Sequence, residues 1–387
     1  VADASAPIPT RPPLSGSRRL VVKLGSALLA PAGRLDPAAV ARLAADIADV
    51  ARTREVCIVS SGAVASGFRL LGLDRPPKTI VGKQAAAAVG QSLLMRAWAE
   101  AFAPLNRNVA QVLLTADDLD HRTRLLNARR TLAELLAHSI LPIINENDSV
   151  AFDEIKLGDN DRLSALVAAA IGADLLVILS SVRGLFEAGD PARVIPLVRD
   201  PAAAALHVRP GTSDVGTGGM TTKLQAAAIA GDAGIPTVIA GGNDDRVLAR
   251  LLAGESTGTY IQPAPRRRAA RKGWIGHSTR VRGSLVVDAG ARAAIESRGA
   301  SLLPSGILAV EGDFISGAAV DIRTDDAPPF ARGIAAYAAD ELRRLRGKRS
   351  DQIEPTLGYA YSDEAIHRDD LVILRPAPAR EAAPKRQ

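Results

Sequence analysis

The sequence predicts an α/β protein built on a mainly parallel sheet with helices on both faces. Three observations carry that expectation. Short apolar runs alternate with longer stretches at helical spacing. Polar or glycine-bearing residues recur where the apolar runs stop, at Lys23 to Ser26, Ser61-Gly62, Asn145 to Asp148 and Ser180-Ser181. The chain has 387 residues, 47% hydrophobic and 23% charged, which is enough for two domains with a large core.

In chain order, residues 1–18 read as a disordered tail rich in Pro and Ser. They lack the apolar core of a secretory signal. Leu20-Val21-Val22 is the first strand, ending in Lys23-Leu24-Gly25-Ser26. Asp36-Pro37 starts a helix with a capping acid and a proline in its first turn. Val40, Leu43, Ala44, Ile47 and Val50 keep its apolar face. Glu55 to Val59 is the second strand and holds the lone cysteine, Cys57, which excludes an internal disulfide and reads as a buried, inert thiol. Ile80 to Phe102 is an Ala-rich helix. Val109 to Leu114 is the third strand, followed by one helix running to about His138. Leu141 to Ile144, Leu175 to Leu179 and Thr237 to Ala240 are further strands; Leu163 to Ile171 and Met220 to Ala233 are helical. No apolar run reaches the ~18 residues of a membrane helix, so no membrane partner is expected and a cytoplasmic protein is. Aromatic residues make up only 3%, which disfavours broad stacking platforms for nucleic acid.

Two stretches carry chemistry. Between Leu141 and Ala165 an apolar strand breaks into Asn145-Glu146-Asn147-Asp148, and a second polar knot, Gly158-Asp159-Asn160-Asp161, precedes a helix. A helix cap needs one such residue; two knots with seven acids or amides suit the ligand-binding mouth of a parallel sheet. The second stretch, GTSDVGTGGMTTK from Gly211 to Lys223, places glycines and hydroxyls before a helix whose first turns contain a lysine. Such a loop can turn backbone N–H groups toward a phosphate. It is not a Walker loop, and no G-x-G-x-x-G follows the first strand. The net charge of +6 resides in one segment: residues 263–280 hold six basic residues and no acid, against 42 basic and 42 acidic elsewhere. With two prolines and Arg266-Arg267-Arg268, this segment reads as a basic linker.

These pieces together resemble glutamate 5-kinase, of the amino-acid-kinase superfamily. The resemblance is carried by Lys23-x-Gly-Ser, IVSSGAVASG (Ile58 to Gly67), INENDSV (Ile144 to Val150), KLGDNDRLSALVA (Lys156 to Ala168) and GTGGMTTKLQAA (Gly216 to Ala227). VDAGARAAIESRGASLLPSGILAVEGDF (Val287 to Phe314) resembles a PUA domain, a small β-rich module. The resemblance implies an αβα sandwich of amino-acid-kinase fold over residues 19–262, the linker 263–280, a PUA-like domain over 281–375 and a tail 376–387. It implies transfer of a phosphoryl group from ATP to the side-chain carboxylate of L-glutamate, the first step of proline biosynthesis. Related acceptors such as acetylglutamate, aspartate or uridylate are the alternative, and an RNA-binding role through the PUA-like domain is a second.

Site roles follow from the same resemblance. Lys23 and Lys223 would stabilise the transferring phosphoryl group, with Asp161 holding both. Ser61 would contact the substrate, Asp148 its ammonium and Asn160 a carboxylate. ATP would meet Lys23, Ser180, Ser181, Thr217, Gly218, Gly219, Met220, Thr221, Thr222 and Lys223, with Mg²⁺ carried on its phosphates. Proline as feedback inhibitor and a homo-oligomer, dimer or tetramer, are also implied. The family usually has an aspartate where Ser181 stands, and an acid in the PUA-like part where this chain has Ala318.

Overall fold

The computed structural model describes residues 11–150, 160–187, 190, 192–200, 204, 219–263, 281–325 and 327–374. The chain divides into two compact units, Val1–Arg267 and Arg268–Gln387.

The first unit is built on an eight-stranded sheet of order β3-β4-β2-β1-β5-β7-β8-β6. Its strands are β1 (Arg19–Leu24), β2 (Glu55–Ser60), β3 (Val109–Leu114), β4 (Leu141–Glu146), β5 (Leu175–Ser180), β6 (Leu197–Val198), β7 (Thr237–Gly241) and β8 (Thr259–Ile261). The strands pair in parallel except β7 with β8. Chain order departs from β1 to β2 on one side and reaches β5 on the other. This is the switch point where parallel sheets open a crevice at their carboxyl ends.

The helices are α1 (Ser26–Leu29), α2 (Pro37–Val50), α3 (Ala63–Gly67), α4 (Ile80–Phe102), α5 (Ala116–Asp120), α6 (Arg122–Ala137), α7 (Asn160–Ile171), α8 (Met220–Asp232) and α9 (Val247–Leu252). Strand alternation sorts them into two layers. Leu20, Val22 and Leu24 of β1, with Val56 and Ile58 of β2, pack against α2, α4 and α9 through Leu43, Ile47, Trp98 and Leu248. Val21, Cys57, Val59 and Ile178 face the other way, onto α6, α7 and α8 through Leu132, Val167 and Ala227. The expected sandwich is therefore present, and burial pushes the Cys57 thiol up to about 12, which leaves it inert.

Local chemistry explains the element ends. The Asp36 side chain accepts from Ala38 N and Pro37 opens α2, as the sequence indicates. Asp46, buried on α2, accepts from Leu248 N at 2.9 Å and Ala249 N at 3.3 Å, supplying the first turn of α9 with partners. Five strands run one or two residues beyond the sequence expectation because the ladder continues under polar side chains and glycine: Leu24 pairs with Ser60, Leu114 with Glu146 and Ser180 with Gly241. The single helix expected after β3 is two. Thr115 and Asp118 form a capping box for α5, and His121 then turns extended before α6.

One close approach shapes the site. A Cβ on Gly90 of α4 would lie 1.8 Å from Ala63 O, and one on Gly67 of α3 would lie 2.0 Å from Ala86 O. The two helices touch backbone to backbone, which only glycine allows. Gly62, at φ +111°, turns the chain from β2 into α3.

The second unit carries a five-stranded sheet of order β10-β9-β11-β12-β13. Its elements are β9 (Gly283–Val287), α10 (Ala289–Arg298), β10 (Ile307–Gly312), β11 (Ala319–Arg323), β12 (Ala331–Ile334), α11 (Ala339–Leu345), α12 (Ile353–Leu357) and β13 (Leu371–Ile373). It has its own core, including Leu285, Val320, Tyr337, Leu342 and Ile366. The Tyr337 hydroxyl sits between the backbones of Tyr361 and Ser362 and ties the C-terminal return to that core. The linker and the terminal tails expected from sequence lie outside the described residues, apart from 11–18 and Pro263. No helix among the described residues is long and apolar enough to cross a membrane.

Because each unit owns a core, a break at Arg268 is expected to yield a first piece that still unfolds in one cooperative step. Thermal melts of residues 11–267 test this. A piece recovered only as insoluble material from several cut points would show that the second unit completes the first.

Candidate active site

Lys23 is the penultimate residue of β1 and shares the face of Val21, toward α7 and α8. Asp161 lies in the first turn of α7, and Lys223 in the first turn of α8. The fold brings them together: Lys23 Nζ lies 2.6 Å from Asp161 Oδ1, and Lys223 Nζ lies 3.1 Å from Asp161 Oδ2. Thr222 Oγ1 donates to Asp161 Oδ2 at 2.7 Å. All three charged groups are buried, at 6%, 1% and 5% exposure for Lys23, Asp161 and Lys223. Burial by itself would raise the Asp161 pKa, yet Lys23, Lys223 and the Thr222 hydroxyl hold it below the usual carboxylate range. Asp161 is thus an anion at neutral pH with an ammonium at each oxygen.

A second cluster sits at the ends of β2 and β4. Asn160, beside Asp161, donates through Nδ2 to Ser61 Oγ at 2.9 Å and to Asn145 Oδ1 at 3.0 Å. Asn145 Nδ2 donates to Gln91 Oε1 on α4 at 2.7 Å. Behind it, Trp98 Nε1 donates to Ser60 Oγ at 3.1 Å and fixes the end of β2. Asp148, just past β4, is 8% exposed. Its burial, together with the nearby Glu146 charge, pushes its pKa up to about 7. A carboxylate short of solvent and beside a second carboxylate favours a cation.

The sequence-derived residues fall into three groups. Lys23, Asp161 and Lys223 meet, as do Ser61 and Asn160. Ser180 ends β5 and Ser181 follows it exposed, at the same carboxyl edge of the sheet. Gly219 precedes α8, whose first N–H groups, from Met220 and Thr221 onward, open its positive end. Thr217 and Gly218 lie outside the described residues. Two of the expected residues are also engaged within the protein. The Thr222 hydroxyl is engaged by Asp161 and by Gly219 O, so that side chain supports the charged trio. Asn160, expected to meet a carboxylate, donates both hydrogens of its amide to protein, and the atom left without a partner is Oδ1, an acceptor.

Sequence reasoning assigned no role to Asn145 or Gln91. Asn145 stood in the polar knot after β4, so its position was a signal. Gln91 had only its place beside Gly90 in an Ala-rich helix. Among the described residues, no group of three or more His, Cys, Asp or Glu gathers as metal ligands.

Comparison with known proteins gives a consistent result. The profile of the amino acid kinase family matches residues 18–241, and that of the PUA domain matches residues 283–357. The glutamate 5-kinase of Geobacter sulfurreducens is 49% identical over 368 residues, spanning 93% of this chain and 99% of its own. That of Myxococcus xanthus is 49% identical over 371 residues, spanning 94% and 98%. That of Thermus thermophilus is 48% identical over 373 residues, spanning 95% and 100%.

The raised pKa of Asp148 makes stability depend on pH. Between pH about 4, where an unfolded aspartate titrates, and about 7, the folded chain holds a proton that the unfolded chain has lost. Stability contributed by this group therefore falls as pH rises through that window and stays low above it. Asp148→Asn is expected to raise the melting temperature of the unliganded protein at pH 8 and to leave it unchanged near pH 4. Melting curves of both proteins across that range decide it; equal shifts at both ends would mean that Asp148 is well solvated.

Proposed function

The chain belongs to the glutamate 5-kinases of the amino acid kinase family, and on that premise we propose that it transfers the γ-phosphoryl group of ATP to the side-chain carboxylate of L-glutamate, yielding γ-glutamyl phosphate for proline synthesis. The observation that carries this reading is the pair of buried lysines on the two oxygens of Asp161, at the carboxyl edge of the sheet.

A carboxylate with a pKa near ~4.3 is already ionised at neutral pH, so the nucleophile needs no general base. The obstacle is repulsion between two anions brought into line. Buried ammonium groups and helix N–H groups, fixed before substrate arrives, offset it without reorganisation. Lys23 and Lys223 supply the charge, Asp161 and Thr222 hold it in place, and the start of α8 receives phosphate oxygens. Ser180 and Ser181 border the nucleotide. Mg²⁺ would enter on the phosphates, where it keeps most of its waters and adds positive charge.

At the acceptor end, Asp148 and the open Oδ1 of Asn160 suit the substrate ammonium. The Ser61 hydroxyl accepts from Asn160 and keeps its hydrogen for a carboxylate. Such a set favours a free amino acid over its acetylated form. A cytoplasmic homo-oligomer, dimer or tetramer, with proline as feedback inhibitor completes the reading and rests on the sequence resemblance. The division into a catalytic domain over 19–262 and a PUA-like domain over 281–375 belongs to the same proposal, supported by the separate cores.

ADP release measured with glutamate, acetylglutamate, aspartate and UMP as acceptors should be fast with glutamate alone. A preference for any other acceptor would overturn the assignment. Lys223→Ala should lower kcat by about 10²-fold or more while changing the KM for glutamate little, because its charge matters most as the phosphoryl group moves. Near-normal turnover in that variant would reduce Lys223 to a structural cation.

A further inference from the structure

The amides behind Ser61 form a chain whose polarity follows from one fixed point. The backbone N–H of Glu146 donates to Asn145 Oδ1 at 2.9 Å. A backbone N–H is only ever a donor, so the Asn145 oxygen is pinned there and its NH₂ must face α4. Gln91 meets that NH₂ with Oε1 at 2.7 Å. On the other side the same Asn145 oxygen accepts from Asn160 Nδ2, whose second hydrogen goes to Ser61 Oγ. Two ends of the chain remain buried and without a partner: Asn160 Oδ1 and Gln91 Nε2.

We propose that Gln91 is a positioning residue for acceptor recognition: the Glu146 N–H sets the polarity of the Asn145 amide, and Gln91 holds that amide in place against Asn160, so that the oxygen of Asn160, rather than its NH₂, is left for the bound amino acid. This rests on reading the chain as a glutamate kinase. The open oxygen of Asn160 gives the ammonium an acceptor in addition to Asp148. The reversed amide would place a donor there, which repels an ammonium and attracts a carboxylate. Gln91 acts from a distance fixed by the backbone contact of α4 with α3, since its neighbour Gly90 lies against Ala63, two residues after Ser61. Removing the Gln91 oxygen leaves the Asn145 NH₂ buried and unpaired, so the Asn145 side chain is no longer held in its place against Asn160.

Two variants test the assignment. Gln91→Met keeps the length and volume but removes the acceptor. Gln91→Glu keeps an oxygen facing Asn145 whether or not it is ionised. The methionine variant is expected to raise the KM for glutamate about tenfold, with kcat and the KM for ATP within about twofold of wild type. The glutamate variant is expected to recover most of that loss. Melting temperatures of both are read alongside.

A methionine variant with unchanged KM for glutamate overturns the proposal, as does one that loses kcat and both KM values together, which marks a packing role. A glutamate variant as impaired as the methionine one also overturns it, because Nε2 would then be the atom that matters. If the methionine variant does not fold, the glutamate variant decides alone: a tenfold rise in its KM for glutamate counts against the proposal and a near-normal KM for it. A wild-type chain with no glutamate-dependent turnover fails the functional reading itself and this proposal with it, an outcome distinct from an active wild type with indifferent variants.

Discussion

Two ammonium groups are buried against one carboxylate, and the arrangement of the catalytic unit depends on that contact. Placing Lys23 and Lys223 at about one-twentieth exposure would be strongly unfavourable without Asp161 between them. Removing either lysine leaves the carboxylate half compensated, and removing the acid leaves two like charges face to face. The contact also joins three elements far apart in sequence, β1, α7 and α8, so charge compensation and the docking of two helices on the sheet are the same event. The Thr222 hydroxyl adds a neutral donor that lets one carboxylate oxygen serve both neighbours.

The acceptor end follows the opposite principle. Asp148 is poorly compensated by its protein neighbours, with burial and Glu146 both opposing its charge. On the proposed reading, stability is given up at one point so that an incoming cation is favoured there, a common feature of binding sites. The amide chain from Gln91 to Ser61 is instead almost fully satisfied within the protein. It supplies shape and polarity rather than charge, and its open ends are the places where a ligand can still form hydrogen bonds. Its placement needs the backbone contact of Gly90 with α3; any side chain there would push α4, and Gln91 with it, away from the end of β2.

Much of the fold was legible in the sequence because strands and helices bury their faces at different periods. The strand at 141, the helix at 80 and the proline-capped helix at 37 stand where their apolar patterns place them. Strand ends were read short at Ser60 and at Asn145-Glu146, since a polar side chain interrupts hydrophobicity but not a backbone ladder. The short helix α3 carries no sustained periodicity, and the antiparallel β8 is three residues long, so neither announced itself. The break between α5 and α6 depends on a local capping box inside a stretch that otherwise reads as one helix.

For the site, the sequence by itself determined which residue types stand at strand ends and helix starts: two lysines, the acids and amides of the two polar knots, and a serine-glycine turn. Chemistry of that kind is encoded in side-chain identity and in its position at the end of an apolar run. Only the tertiary structure decided which groups meet. Asp161 reaches Lys23 and Lys223 across 138 and 62 residues of chain, and Asn145 reaches Gln91 across 54. The atom that Asn160 leaves open is likewise beyond the reach of sequence. Asparagine offers a donor and an acceptor equally, and the choice falls to a backbone N–H one side chain away.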